Sequence, residues 1–322
     1  SKAIGIQGRA QTDNLDLGSI LGTDIIHQTT LRTGIKAQLG RGHIRTYAKI
    51  DSVLVDRLHV NGYDYKGIAG AGTVAEEAFN GTIICNDPSL NFMFQGAFAL
   101  SPKTHNSRYD FYAVIGHADL NAMNIDKRGI SQIQCQTKAD FTRTKSGDIF
   151  GKIDIADLVA RNDKGRHDIG NINLTSHSNE NEFRARLNSK FADGMYSGSA
   201  AMTQFIKDLR NVIAKKEMPA LFADPDYEWQ NNHYNVDFRF HNSMDLLDYL
   251  MPGLYIADST AIQASINNDG IFDAKISSSR IAFKDQYLKG VSLTFDNTSD
   301  NLSGELACKE MKLASMSFKD NR

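Results

Sequence analysis

Alternation with a period of two dominates the chain. Val236, Phe238 and Phe240 interleave with Asp237 and Arg239, the rhythm of a strand with one buried and one wet face. The same rhythm runs through Phe92 and Phe94, then Phe98 and Leu100, and recurs in Tyr109, Phe111, Ala113 and Ile115 and in Val291, Leu293 and Phe295. Turn clusters lie between the runs: Asn61-Gly62, Lys145-Ser146-Gly147-Asp148, Asn162-Asp163-Lys164-Gly165 and Asn267-Asn268-Asp269-Gly270. Such residues accept turn conformations or bond their own backbone. Strands joined by short turns pair antiparallel, because parallel neighbours need long crossovers. Helical spacing is confined to two stretches. Between Thr203 and Lys216, Phe205, Ile206, Leu209, Val212 and Ile213 share one face, and Lys215-Lys216 suit the C-terminal dipole. Ser243 is placed to cap a short helix through Leu250, stopped by Pro252-Gly253. Both helices read as short lids at unit boundaries.

The chain also resembles itself. A displacement of 103 sets Asp16-Leu17 on Asp119-Leu120, Lys49-Ile50-Asp51 on Lys152-Ile153-Asp154, and Gly67 on Gly170. A displacement of 223 sets Arg57 on Arg280, Lys66-Gly67 on Lys289-Gly290, Gly81 on Gly304, Cys85 on Cys308, Leu90 on Leu313 and Met93 on Met316. The opening Leu15-Asp16-Leu17-Gly18-Ser19-Ile20-Leu21 recurs as Met244-Asp245-Leu246-Leu247-Asp248-Tyr249-Leu250 and, more weakly, from Ala118 to Met123. Ordered landmarks at two displacements favour divergent repeats over chance likeness among strands. Three units follow: 1–117, 118–242 and a shorter 243–322. A sheet with one apolar face needs cover, from a second sheet or by curling on itself. Stacked units extend a sheet along one axis, so the expected fold is all-β, an elongated curled antiparallel sheet with a few short helices.

Composition narrows the function classes. At 41% hydrophobic and 23% charged residues, the chain is expected to fold rather than stay disordered. A net charge of -2 with scattered Lys and Arg argues against nucleic acid as a partner. No apolar run reaches the roughly 18 residues needed to cross a bilayer. Ser1-Lys2-Ala3 lacks an initiator Met and a signal-peptide pattern, so the sequence reads as a piece of something longer. Cys85, Cys135 and Cys308 match no zinc or redox spacing and read as small buried hydrophobes.

Several of these motifs carry a family likeness. Leu15-Asp16-Leu17-Gly18-Ser19-Ile20-Leu21-Gly22 resembles the opening of repeats in the TamB/AsmA-like family, the translocation and assembly module group. Val60 to Ile68, Phe79-Asn80-Gly81 through Phe92, and Tyr109 to Leu120 are similar to later stretches of such a repeat. The resemblance implies a long curled sheet, a β-taco, crossing the periplasm from an inner-membrane anchor that lies outside these residues. It implies an apolar groove that carries phospholipid acyl chains toward the outer membrane. It further implies an outer-membrane barrel partner of the TamA/BamA type, engaged through regions outside this sequence.

Chemistry has little foothold. The nine histidines form no HExxH pair and no ligand-spaced cluster. Asp224-Pro225-Asp226-Tyr227-Glu228 lacks the glycine and periodicity of a calcium loop. Gly70-Ala71-Gly72-Thr73 lies in a strand pattern with no Lys-Ser/Thr after it, so it is no phosphate loop. No serine sits in a nucleophile elbow. Neither an enzyme nor a cofactor is expected. The expected working parts are groove walls: Phe92, Phe94, Phe98, Leu100, Tyr109, Phe111, Ile115, Val236, Phe238, Phe240, Ile262, Ile266, Val291, Leu293 and Phe295. Two rivals stand beside the lipid conduit. One is a chaperone-like scaffold whose sheet edge pairs with nascent barrel strands. The other is a β-solenoid enzyme acting on glycans, which would need paired carboxylates that the sequence does not present.

Overall fold

The computed structural model describes residues 4–16, 26–39, 47–75, 78–101, 106–179, 182–217, 228–298, 302–313 and 316–321. Among them are twenty strands and two helices. The all-β, antiparallel expectation holds, and the two helices fall where the spacing placed them. The repeat opening from Leu17 to Gly22 and the acidic stretch 224–227 lie outside the described residues.

The chain divides into two compact units. The first comprises 1–145 and 153–168, the second 146–152 and 169–322. In the first unit, β1 (Ile4–Asp16), β2 (Ile26–Leu39) and β3 (Tyr47–Val60) pair in succession. A short β4 (Tyr63–Tyr65) returns beside β3. Then β5 (Ile68–Ala75), β6 (Ala78–Asp87), β7 (Leu90–Ser101), β8 (Asn106–Asp119) and β9 (Gln132–Arg143) continue the sheet. β10 (Ile149–Asn162) follows beside β9, with its first residues, 149–152, counted in the second unit. Every one of these pairings with a described register is antiparallel, and each joins strands close in sequence.

The second unit repeats the plan. β11 (Gly165–Ser178), β12 (Phe183–Ser189), β13 (Ala192–Gly198) and β14 (Tyr234–Phe240) pair in order. β16 (Ala261–Ile266), β17 (Phe272–Phe283), β18 (Gln286–Asp296), β19 (Ser303–Leu313) and β20 (Met316–Asn321) carry the sheet on. The short β15 (Leu254–Ile256) pairs with the far end of β17. Helix α1 (Met202–Glu217) stands between β13 and β14, and α2 (Met244–Leu250) between β14 and β15. Ser243 precedes α2, but its side chain makes no capping bond; the hydroxyl donates to the Ile256 carbonyl instead.

Positions matched by the sequence repeat share local structure. Gly67, Gly170 and Gly290 all have left-handed backbone, with φ of 64°, 80° and 61°. Asp87 and Glu310, also matched, each accept a tyrosine hydroxyl at 2.5 Å, from Tyr63 and Tyr287 respectively. Cys85 and Cys308, two positions earlier, are both buried.

Two uncharged faces and their candidate lining

The register of the first unit stacks side chains into four rows that cross eight strands on one face. One row runs Ile6, Ala37, Ala48, Val74, Phe79, Phe98, Tyr109, Phe141. The next runs Gly8, Ile35, Ile50, Gly72, Gly81, Gly96, Phe111, Ala139. The third runs Ala10, Thr33, Val53, Gly70, Ile83, Phe94, Ala113, Thr137, and the fourth Thr12, Leu31, Val55, Ile68, Cys85, Phe92, Ile115, Cys135. No position in the four rows is charged. The opposite face carries Arg9, Lys36, Lys49, Arg108, Asp110, Lys138 and Asp140. Strand pleating alone separates the two sets, since residues two apart share a face.

The candidate residues Phe92, Phe94, Phe98, Tyr109, Phe111 and Ile115 therefore share one surface. Leu100 pairs in the same register with Ser107, and its side chain lies outside the described ones. Rings touch along the face: Phe79 with Phe98 at 5.2 Å, Phe94 with Phe111 at 5.3 Å, and Tyr109 stacked on Phe141 at 4.8 Å. All six aromatic rings in these contacts are only half-buried. The fully buried apolar residues of β5–β9 are small: Cys85, Ala113, Ala118, Cys135 and Ala139. Burial pushes the Cys85 and Cys135 thiols up, which suits inert packing groups. No helix or second sheet lies on these rows among the described residues of this unit.

One end of this face is closed by polar structure. Asp87 is buried and accepts the Tyr63 hydroxyl, the Lys66 amide at 2.9 Å and the Ser89 amide at 2.8 Å. Burial and the Asp87 hydrogen bond both push the Tyr63 phenol up. The loop between β8 and β9 carries Met123, 2% exposed, and is tied to the β3–β4 turn through Asn61 and Asn124.

The second unit builds the same kind of face. One row runs Leu174, Leu187, Gly194, Phe238, Ile262, Ile276, Leu293, Leu306. The next runs Ser176, Ala185, Tyr196, Val236, Ala264, Ala274, Phe295, Gly304. A third runs Ser178, Phe183, Gly198, Tyr234, Ile266, Phe272. Val236, Phe238, Ile262, Ile266, Leu293 and Phe295 thus fall together, with Phe240 opposite Ala192 and Val291 opposite Ser278 on the same side.

Here, unlike among the described residues of the first unit, a helix packs on part of the face. Tyr196, Tyr234, Ile266 and Phe272 form a buried cluster, and Phe205, Leu209 and Val212 of α1 pack on it. Ile266, 1% exposed, is enclosed in this cluster, on which Trp229 also packs, and Val291 is buried as well. The row through Phe238 lies outside that cluster and is half-buried at Phe238, Ile262, Ile276 and Leu293. A cleft of about 250 Å³ remains between the first turns of α1 and the sheet, lined mostly by apolar groups including Ile149, Leu174, Phe183, Met202 and Ile206. The polar face carries a broader groove of about 880 Å³, with Arg184, Arg186, Asn235, Asp237, Gln263 and Asp273 among its walls.

Glycines are the lining residues that sequence reasoning passed over. A Cβ on Gly194 would meet the Phe238 ring at 2.9 Å, and one on Gly304 would meet the Phe295 ring at 2.9 Å. On Gly81 it would meet the Phe79 ring at 2.8 Å. Aromatic rings therefore lie down over glycine gaps in their own sheet. The available signal was Gly in register with, or two residues from, an aromatic on the apolar side.

Among the described residues no group of three or more His, Cys, Asp or Glu is placed to hold a metal. His59 pairs with Asp64 at 2.7 Å and His167 with Asn162, both five positions away, and His241 with the Ser189 carbonyl across 52 positions. No helix is long and apolar enough to cross a membrane among these residues. Comparison of the chain with protein-family models, with curated proteins and with solved structures gave no match.

Proposed function

We propose that the chain is a segment of a periplasmic, TamB/AsmA-like protein that offers an apolar sheet face to phospholipid acyl chains, without making or breaking bonds. In this reading it serves phospholipid transport between inner and outer membrane and supports outer-membrane protein assembly. Anchoring and docking to a barrel partner belong to regions outside these residues. The observation that supports the reading is the eight-strand face of the first unit, four rows deep and free of charge. Soluble proteins seldom leave a contiguous apolar surface of this kind without a use for it.

The energetics suit a chain-like guest. Each methylene moved from water to such a surface gains about 0.8 kcal/mol, so a few half-covered methylenes outweigh one lost rotamer. A phosphate head group stays in water, because burying it unpaired is prohibitive. Phe92, Phe94, Phe98, Tyr109, Phe111 and Ile115 act as wall in the first unit, and Phe238, Ile262 and Leu293 in the second. Native mass spectrometry of the chain purified from cells tests this. Co-bound phospholipid is expected for the wild type and should be lost in Phe94→Asp, while Tyr112→Asp on the polar face retains it. A wild-type chain without lipid, or equal retention in both variants, contradicts the reading.

A further inference from the structure

We propose that helix α1 is a detachable cover, which occupies the apolar face of the second unit and gives way to an acyl chain. The inference rests on the lipid reading for its trigger, but the detachment itself stands on the geometry of α1. Phe205, Leu209 and Val212 lie one turn apart and pack on the cluster of Tyr196, Tyr234, Ile266 and Phe272, with the Phe205 ring 5.9 Å from Tyr196 and 5.2 Å from Tyr234. Trp229, outside the helix, packs on the same cluster. These are face positions of the same kind as the half-buried rings of the first unit. The helix contributes no rung to the ladder beneath it: β13 pairs with β14 and β14 with β16 along their whole described lengths. Lifting α1 therefore breaks no strand pairing.

What fastens α1 to the sheet is polar as well as apolar. Asp208, 0% exposed, accepts the Tyr234 hydroxyl at 2.5 Å, the Asn232 amide at 2.9 Å and the Gln204 amide at 2.6 Å. At the other end Asp148 accepts the Thr203 amide at 3.2 Å and hydroxyl at 2.8 Å. A buried carboxylate adds little stability over an apolar residue of equal volume, yet it defines one seating and is satisfied again in water once released. The cleft of about 250 Å³ under Met202 and Ile206 leaves the seating incomplete. It exceeds the 150 Å³ apolar cavities that accept benzene, and so gives the end of an acyl chain a foothold at the helix margin.

Hydrogen–deuterium exchange of the whole chain tests the cover. A helix of this length is marginal once it leaves its partner, so detachment exposes its amides. Residues 203–217 are expected to exchange at least about tenfold faster than β14 and β16. Asp208→Asn should speed the helix by about another tenfold and leave those strands unchanged. Tyr234→Phe, which keeps the ring, serves if the first variant fails to fold. Vesicles of phosphatidylethanolamine and phosphatidylglycerol should speed the helix alone. Exchange of α1 at the rate of β14 and β16 overturns the proposal, because the helix is then inseparable from the core. Independent exchange that vesicles leave unchanged overturns the competition with lipid. Lipid capture at Phe94 in the first unit then tells whether the lipid reading fails with it.

Discussion

Asn61 and Asn124 each donate a side-chain amide to the other's backbone carbonyl, at 3.0 and 3.1 Å, across 63 positions of sequence. Both residues sit at positive φ, 51° and 58°, a conformation that asparagine accepts more readily than other side-chain-bearing residues. The pair ties the β3–β4 turn to the β8–β9 loop past the ends of β5, β6 and β7. In a flat sheet β3 and β8 would stand about 19 Å apart. The loop and the bending of the strands together close that distance, so one end of the first unit's apolar face is shut.

This latch is open to test by substitution. Asn124→Ala removes one amide and places Ala in left-handed backbone, a cost of about 2 kcal/mol. Asn124→Gly loses the amide but relieves the backbone, so about half that loss is expected. Urea unfolding of the two variants measures the difference. Equal losses would remove the backbone contribution from the account.

Acid should loosen the same loop. The Arg128 guanidinium, the Arg128 backbone amide and the Ser131 hydroxyl hold the Asp126 carboxyl well below the ordinary 3.8. The Ala122 amide and Gln132 likewise lower Asp119. A carboxylate lowered in the folded state contributes stability that is fully present above its unfolded pKa and is lost as the pH falls toward the folded value. Amide exchange across 119–132, corrected for its intrinsic pH dependence, should hold steady above about pH 4 and accelerate below it. Asp126→Asn should show the loosened behaviour already at neutral pH. A profile in the wild type with no change below pH 4 would contradict this.

Two hydroxyls on the uncharged face are spent without return. The Oγ1 atoms of Thr12 and Thr33 are buried and have no hydrogen-bond partner among the described residues. Thr33→Val replaces an unpaired hydroxyl with a methyl of the same shape and should raise stability by about 1 kcal/mol. A thermal melt reads the change. A fall in stability would mean that the hydroxyl is satisfied in solution.

Glycine gaps set how the rings lie. Gly194→Ala pushes a methyl into the Phe238 ring and should cost about 1–3 kcal/mol, the usual penalty for overpacking. Combining it with Phe238→Leu should recover part of that loss. A pair of variants whose effects simply add would show that ring and gap are independent.

Much of the fold could be read from alternation alone. Period two placed Phe92, Phe94 and Phe98 on one face, and helical spacing placed α1 within a residue or two. The repeat displacements align Gly67, Gly170 and Gly290, which share left-handed backbone. What could not be read was cover. Periodicity says that Ile266 and Phe238 face the same way, but not that the cluster α1 packs on includes the first and leaves the second half-buried. That choice depends on where the chain between β13 and β14 travels, and on Asp208 meeting Tyr234 and Asn232. The glycine gaps were missed for a related reason. Gly72 and Gly81 look like weak points in single strands, and their role emerges only when register sets them beside the Phe79 ring.

Photocrosslinking from the uncharged face tests the central claim most directly. With p-benzoylphenylalanine at Phe94, the chain exposed to phosphatidylethanolamine and phosphatidylglycerol vesicles should yield lipid adducts by mass spectrometry. The same group at Tyr112, on the polar face of the neighbouring strand, should yield few. Equal yields at the two positions, or none at Phe94 in a folded chain, would contradict a lipid-bearing face.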